Sequence, residues 1–394
     1  MRVPHDDGPP GPKKPPRAPR AAKAGAVIAE PHRPGPQAAG AVIAAPHRPD
    51  PKDSPERAIL SGARQQGEAE VATIRPQRFA EYIGQAALKR KLEVFVRAAQ
   101  GRGEPLDHTL LHGPPGLGKT TMAHILAHEL GVKLHLTSGP AIEHKGILAG
   151  HLTALGARDV LFIDEIHRLS PTVEESLYSA MEDGRIDLPV GEGTRARTIG
   201  FELAPFTLVG ATTRTALLSG PLRDRFQILE GIEFYGDDEL AAIVLRTAGL
   251  LGFAISAEAA LEIGQRSRGT PRIANRLTRR VRDFAQVAAG PRRIELRDTK
   301  QALHELGIDE AGLDALDRRM LTMIIENFRG GPVGVDALAA SLGEPRDTLE
   351  GVVEPFLLQR GFLLRTQRGR LATAKAARHL HLELPAPGQG ELEL

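Results

Sequence analysis

The chain has 394 residues, room for two or three packed domains. Lys and Arg number 51 against 49 Asp and Glu, so overall charge singles out no class of partner, and the absence of cysteine excludes disulfides and thiolate-bound metals. The N-terminus lacks the apolar core of a signal peptide and no apolar run approaches membrane-spanning length, so a cytoplasmic protein with no membrane partner is expected.

Residues 1–70 hold 14 of the 30 prolines and little large apolar content. They cannot bury a core and read as a disordered Pro/Ala-rich extension. Within it Gly25-Ala-Val-Ile-Ala-Glu-Pro-His-Arg-Pro-Gly-Pro36 recurs as Gly40-Ala-Val-Ile-Ala-Ala-Pro-His-Arg-Pro-Asp-Pro51. Two Pro-broken copies cannot stack as a solenoid, which leaves a drifting linker duplication or a partner-binding tail. Over residues 71–235 apolar runs of strand length alternate with helical periodicity, which predicts an α/β domain with a parallel sheet flanked by helices. Residues 236–306 read as a small helical domain, with Leu240, Ile243 and Val244 on one face. Residues 307–380 begin helical and end in a β-hairpin near Leu363 to Thr373. Residues 381–394, with Pro385-Ala-Pro-Gly-Gln-Gly, form a tail.

Gly113-Pro-Pro-Gly-Leu-Gly-Lys119-Thr120 fits the phosphate-binding loop G-x-x-x-x-G-K-[ST] in full. The apolar run Thr109-Leu110-Leu111 precedes it, and a helix with Met122, Ile125, Leu126 and Leu130 on one face follows, stopped by Gly131. Glycines let backbone N–H groups curl around phosphates, and the helix N-terminus adds positive potential. Lys119 reaches the β- and γ-phosphates of such a nucleotide and the Thr120 hydroxyl is a Mg²⁺ ligand. Next, Asp159-Val-Leu-Phe-Ile163-Asp164-Glu165 is a buried strand ending in two carboxylates, at the place where open α/β sheets bind ligands. Asp164 suits Mg²⁺, and Glu165 suits polarisation of an attacking water. A third strand, Thr207-Leu208-Val209-Gly210-Ala211, ends in Thr212-Thr213. A polar side chain there either holds the water and γ-phosphate or is a satisfied strand-end threonine. The clusters Pro221-Leu-Arg223-Asp-Arg225-Phe226 and Gly269-Thr-Pro271-Arg272-Ile-Ala-Asn-Arg276 are, by spacing alone, either solvated arginines or cations that stabilise a transferring phosphoryl group.

In the last segment Leu349, Val352, Val353, Phe356 and Leu357 fall on one helical face. A helix over Asp336 to Leu342, broken by Gly343, precedes it. Helix, turn, helix and hairpin together suggest a winged helix. Between Glu354 and Glu383 there is no acidic residue but six basic ones: Arg360, Arg365, Arg368, Arg370, Lys375 and Arg378. Arg368-Gly369-Arg370 falls at the hairpin turn, where side chains reach phosphates without reading sequence. Trp is absent and aromatics are sparse, against base-stacking platforms for single strands.

Asp-Glu-Ile-His-Arg-Leu-Ser-Pro at 164–171, Gly-Ala-Thr-Thr-Arg at 210–214, Pro-Leu-Arg-Asp-Arg-Phe at 221–226 and Gly-Thr-Pro-Arg-Ile-Ala-Asn-Arg at 269–276 stand in order at close spacing. Together they resemble the RuvB family of AAA+ ATPases, from about Ile74 to about Ala376. The resemblance implies an AAA+ P-loop core, a small helical lid and a C-terminal winged-helix head. It implies an ATP- and Mg²⁺-dependent, homo-hexameric motor that branch-migrates Holliday junctions and moves on duplex DNA with RuvA, and with RuvC resolvase as a further partner. It makes Arg225 the arginine finger acting on a neighbour's ATP, Arg272 the sensor-2 arginine and Thr213 sensor 1. It puts Ile74, Arg75, Gly116, Gly118, Thr121 and Tyr235 with Lys119 and Thr120 around the nucleotide, and Glu182-Asp183-Gly184 near it. The family often carries an aromatic where Gly184 stands. The stretch 185–206, around Gly191-Glu-Gly193, resembles the hairpin that docks on RuvA, with Ile199 and Phe201 as its exposed apolar contacts. Arg346, Arg365 and Arg370 match DNA-binding positions. A clamp-loader-like or protein-remodelling ATPase shares the nucleotide site without a basic winged helix, and an inactive scaffold shares only the fold.

Overall fold

The computed structural model describes residues 74–190, 197–290 and 292–384. The N-terminal extension with its repeat, the Gly191–Gly193 turn and the tail from Pro385 lie outside the described residues.

Seven strands form in the first domain: β1 (Thr109–His112), β2 (Leu134–Ser138), β3 (Val160–Asp164), β4 (Arg185–Val190), β5 (Arg197–Glu202), β6 (Thr207–Thr212) and β7 (Ile228–Gly231). Five of them make one parallel sheet in the order β2-β3-β6-β1-β7. The register sets Ser138 beside Asp164, Ile163 beside Gly210, and His112 beside Thr212. The carboxyl ends of β1, β3 and β6 therefore open at one level, where their following loops meet. Every residue of β6 and the first four of β3 are buried. Their uninterrupted apolar runs are what a strand covered on both faces requires.

Helices cover the sheet on both sides. On one side Leu92, Met122 and Leu126 share a core with Leu240, Val244, Ile263 and Leu277 of the lid. The other side packs Leu148, Leu152, Val173 and Leu177. β4 and β5 form a separate antiparallel hairpin, with Leu188 opposite Ile199 and Ile186 opposite Phe201.

The lid consists of helices Asp237–Leu250, Ala257–Gln265, Pro271–Ala289 and Leu296–Glu305. Local chemistry starts them. The Ser256 hydroxyl accepts from Ala259 N, Pro271 occupies a first-turn position that needs no N–H, and Asp237, Asp238 and Glu239 fill the first turn of the first helix.

The head has its own core, including Met320, Leu338, Val353, Phe356 and Leu363. Helices Ala315–Glu326 and Val335–Leu342 lead into a longer helical run over 346–359, then the wing β8 (Leu363–Thr366) and β9 (Gly369–Ala372), and a closing helix Ala374–Leu380. Gly343 ends the second helix at φ +69°, the left-handed C-cap geometry that glycine adopts without strain. One sequence expectation fails here. Leu349, Val353, Phe356 and Leu357 are buried, but Val352 is 58 % exposed. The run takes a π-turn over Leu349–Val353, and a wider turn shifts the phase that a 3.6-residue period assumes. The head also touches the sheet domain: Arg214, just past β6, pairs with Asp347 at 3.2 Å, both exposed.

Among the described residues no helix is long and apolar enough to cross a membrane.

Candidate nucleotide site and DNA-facing surface

The loop after β1 needs its glycines. Gly113 has φ +142°, and a Cβ there would sit 2.4 Å from the Ile232 carbonyl oxygen. Gly118 has φ +102° and caps the helix Lys119–Leu130. Gly116 lets the lid approach: a Cβ would lie 3.2 Å from Arg272 Cβ, and Arg272 N donates to Gly116 O at 3.3 Å.

A cavity of about 450 Å³ opens on this loop between the sheet domain and the lid. Ile74, Arg75, Tyr82 and Tyr235 line one part of it. Gly116, Gly118, Lys119, Thr120 and Thr121 line the loop side, faced by Ser138, Asp164, Glu165 and Thr213 from three strand ends. The lid contributes Arg246, Thr247, Arg272, Asn275 and Arg279.

Lys119 is buried, and its Nζ donates to Gly113 O at 2.7 Å and Pro114 O at 2.9 Å. Burial pulls the ammonium down to about 8, against the favourable pull of Asp164 and Glu165 and with the repulsion of Arg272. The ammonium is thus held in an electrostatic deficit that polyphosphate would fill. Glu165 adopts φ +48°, unusual for a non-glycine residue. Its own N donates to Asp164 Oδ1 at 2.9 Å, and its carboxylate accepts from Arg168 at 2.9 Å. The two strand-end threonines divide: Thr212 Oγ1 is engaged by His167 Nδ1 at 3.0 Å and by Arg214 N at 3.0 Å, whereas Thr213 lines the cavity.

At the Ile74 end, Arg75 Nη1 lies 2.6 Å from His124 Nε2, and the Tyr235 hydroxyl donates to that of Tyr82 at 2.7 Å. Burial pushes the Tyr82 phenol up to about 12 and Tyr235 higher still.

Arg225, Glu182, Asp183 and Gly184 lie outside the lining. Glu182-Asp183-Gly184, expected near the nucleotide, stand instead beside Arg225 at the start of the hairpin. Glu182 ends the helix Pro171–Glu182 and accepts from Arg225 Nη2 at 3.1 Å; Arg225 also donates to Pro221 O at 2.8 Å and lies 4.5 Å over the Tyr178 ring. Gly184 turns the chain into β4 at φ +62°, a conformation that an aromatic residue adopts only under strain.

On the hairpin, Ile199 is 44 % and Phe201 38 % exposed. On the head, Arg346 and Arg365 are exposed, Arg346 beside Asp336 and Glu350 at 3.2 Å each and Arg365 3.8 Å from Glu350. Arg368 is exposed at the wing's turn. Arg370 corrects the sequence reading. It sits in β9, not in the turn, and points inward. Its side chain is 8 % exposed, Nε donates to Glu354 Oε1 at 2.7 Å and Nη2 to Glu350 Oε1 at 2.9 Å. With both carboxylates engaged it braces the wing.

Sequence reasoning missed Tyr82, Ser138, Arg246, Thr247 and Asn275. Arg246 donates to Ile74 O at 2.7 Å and meets Glu81 at 3.4 Å, while Thr247 donates to Asn275 Oδ1 at 2.7 Å. Asn275 stands inside the quoted Gly-Thr-Pro-Arg motif, one turn past Arg272, and helical spacing could have found it. Nothing in the local pattern separates Arg246 from a solvated arginine.

Comparison with known proteins covers the same ground. Residues 74–232 match the family model described as the Holliday junction DNA helicase RuvB P-loop domain, 235–309 the RuvB AAA lid domain, and 310–381 the RuvB C-terminal winged helix domain. The chain is 52% identical to the Thermotoga maritima RuvB Holliday junction branch migration motor, with a TM-score of 0.73 over 79% of this chain and 100% of that one. A proline-to-glycine variant of the Thermotoga maritima protein gives 53% identity and a TM-score of 0.74 over 79% of this chain and 100% of its own. With three domain models matched in order across the described residues, the chain belongs to the RuvB family, AAA+ P-loop ATPases that act as motors on Holliday junctions.

Proposed function

We propose that this ATPase works as a homo-hexameric ring in which each ATP is closed between two protomers, driving branch migration of Holliday junctions with RuvA during recombination and repair. The observation that carries the reading is a division of labour. Lys119, Asp164, Glu165, Thr213 and Arg272 meet in one cavity, while Arg225 stands outside it beside Glu182. A guanidinium that stabilises phosphoryl transfer has to reach the γ-phosphate; one that cannot serve its own cavity suits a neighbour's.

Lys119 and the loop's N–H groups hold the phosphates, Glu165 orients the water, and Thr213 marks the γ-phosphate from β6. Arg272 reports that phosphate to the lid. Among the described residues no three or more His, Cys, Asp or Glu cluster as a cation site. The Thr120 hydroxyl and Asp164 carboxylate fit Mg²⁺ that arrives with the nucleotide, since this ion takes few protein oxygens and completes its shell with phosphates and water. The cation would neutralise charge between phosphates. Ile199 and Phe201 offer the apolar contact that RuvA would cover, and RuvC would join through the junction. Arg346, Arg365 and Arg368 supply phosphate contacts without base readout, as a motor indifferent to sequence needs. A motor that acts on chromosomal junctions would work in the cytoplasm.

The test is subunit complementation. Lys119→Ala and Arg225→Ala each lose turnover with junction DNA and RuvA, the second by about a thousandfold or more. Mixing the two variants restores measurable turnover, because an intact site then meets an intact neighbouring guanidinium. Parent-like turnover in Arg225→Ala, or a mixture no more active than its parts, contradicts the shared site.

A further inference from the structure

Residues 265–272 join the second lid helix to the third, and both ends of this short segment are held by other domains. At its far end Arg272 lines the nucleotide cavity and its N donates to Gly116 O at 3.3 Å, while Gly269 O accepts from Tyr235 N at 2.9 Å. At its near end the head grips it. Arg360, at the close of the head's 346–359 helical run, donates to Gln265 O at 2.9 Å. Gly312 packs so closely that a Cβ would lie 3.1 Å from Arg266 O.

Arg268 is the centre of this grip. Its backbone is left-handed at φ +54°, and its side chain is 8 % exposed. One guanidinium meets Asp314 Oδ2 at 2.6 Å and Asp317 Oδ2 at 2.5 Å, donates to Gly312 O at 3.1 Å, and lies 5.1 Å over the ring of Phe356. Phe356 belongs to the 346–359 run that also carries Arg346. Burial pushes the Asp317 carboxyl up to about 6 against the attraction of Arg268, while at Asp314 burial is outweighed by Arg268 and backbone hydrogen bonds, which hold its carboxyl below the usual range. A non-glycine residue in a left-handed conformation and a buried charge cluster persist only where surrounding structure over-determines them.

We infer that Arg268 is a positioning residue for the motor: it fixes the lid segment that ends in phosphate-facing Arg272 to the head's DNA-facing helix, so that nucleotide state reaches DNA through residues 265–272. This rests on the ATP-driven motor reading above. A mere staple between domains could sit anywhere on the lid. This one sits four residues from Arg272, on the segment that joins the two lid helices.

The experiment uses the full chain with Arg268→Ala, Arg268→Lys and Asp314→Asn, measuring ATP turnover with and without junction DNA, duplex affinity and branch-migration rate with RuvA. Because the protein has no native cysteine, Glu258→Cys in the lid and Arg378→Cys in the head can carry spin labels for a distance distribution. In Arg268→Ala, turnover without DNA and duplex affinity stay within about twofold of the parent. Stimulation by DNA and migration fall by about tenfold, and the lid–head distance distribution broadens. Arg268→Lys, which keeps the charge, recovers most of the loss. Should Arg268→Ala fail to fold, Asp314→Asn keeps the cap oxygen of the helix Ala315–Glu326 and still lowers DNA stimulation by about threefold. Parent-like stimulation with a narrow distance distribution in Arg268→Ala overturns the coupling role, as does parent-like stimulation in Asp314→Asn. A parent protein whose turnover ignores DNA overturns the motor reading and the coupling with it, which the unmutated arm shows directly.

Discussion

Lys119 carries a consequence for pH. Its ammonium, lowered to about 8 by burial, is the form that attracts polyphosphate. Below that pH the cation is already present. Above it, binding must take up a proton, and linkage weakens ATP affinity by up to about tenfold per further pH unit. Tyr82 and Tyr235 stay neutral through this range, since burial raises both. Titration with a fluorescent ATP analogue checks the slope; equal affinity at about pH 7 and about pH 9.5 contradicts it. Lys119 was legible because the chemistry of a phosphate loop is written in consecutive residues, where backbone geometry leaves little freedom. Arg246 and Thr247 were not, because they become part of the site only when the lid folds over it. Arg370 shows the converse limit: a sequence gives a charge but no direction, and its partner Glu354 lies 16 residues away on another element.

At the scale of elements, the wing separates arginines that brace from arginines that reach outward. Glu354 is 1 % exposed and pairs with Arg370; Glu354→Ala leaves a buried cation without its main partner and destabilises the head by about 3–5 kcal/mol, seen as a lowered melting midpoint. Arg365→Ala and Arg368→Ala leave that midpoint alone and each lower the salt slope of duplex binding by about one. An Arg365→Ala protein with an unchanged slope would remove the wing from the interface. Helix existence and a parallel sheet were readable from periodicity, whereas the strand order β2-β3-β6-β1-β7 was not. The π-turn over Leu349–Val353 was not, because reading a buried face from spacing presumes a uniform turn, and Val352 is where that presumption breaks.

Across the whole molecule the cores define what melts together. One core joins sheet-domain helices to the lid; the head's core shares no residue with it. Calorimetry of the full chain resolves two transitions, and ATP at about one hundred times its Kd stabilises the shared-core transition by about 2.7 kcal/mol, with a smaller shift in the head. Equal displacement of both transitions contradicts separate cores. Division into three domains was visible in the sequence as changes of periodicity, whereas the sharing of one core by two of them depends on contacts between distant segments. The head's two attachments also differ in strength. Arg214–Asp347 is an exposed pair, worth about 0–1 kcal/mol, comparable to thermal agitation; Arg268 is enclosed among carboxylates and an aromatic ring. The winged helix is therefore anchored firmly at the lid and tethered only loosely to the sheet domain.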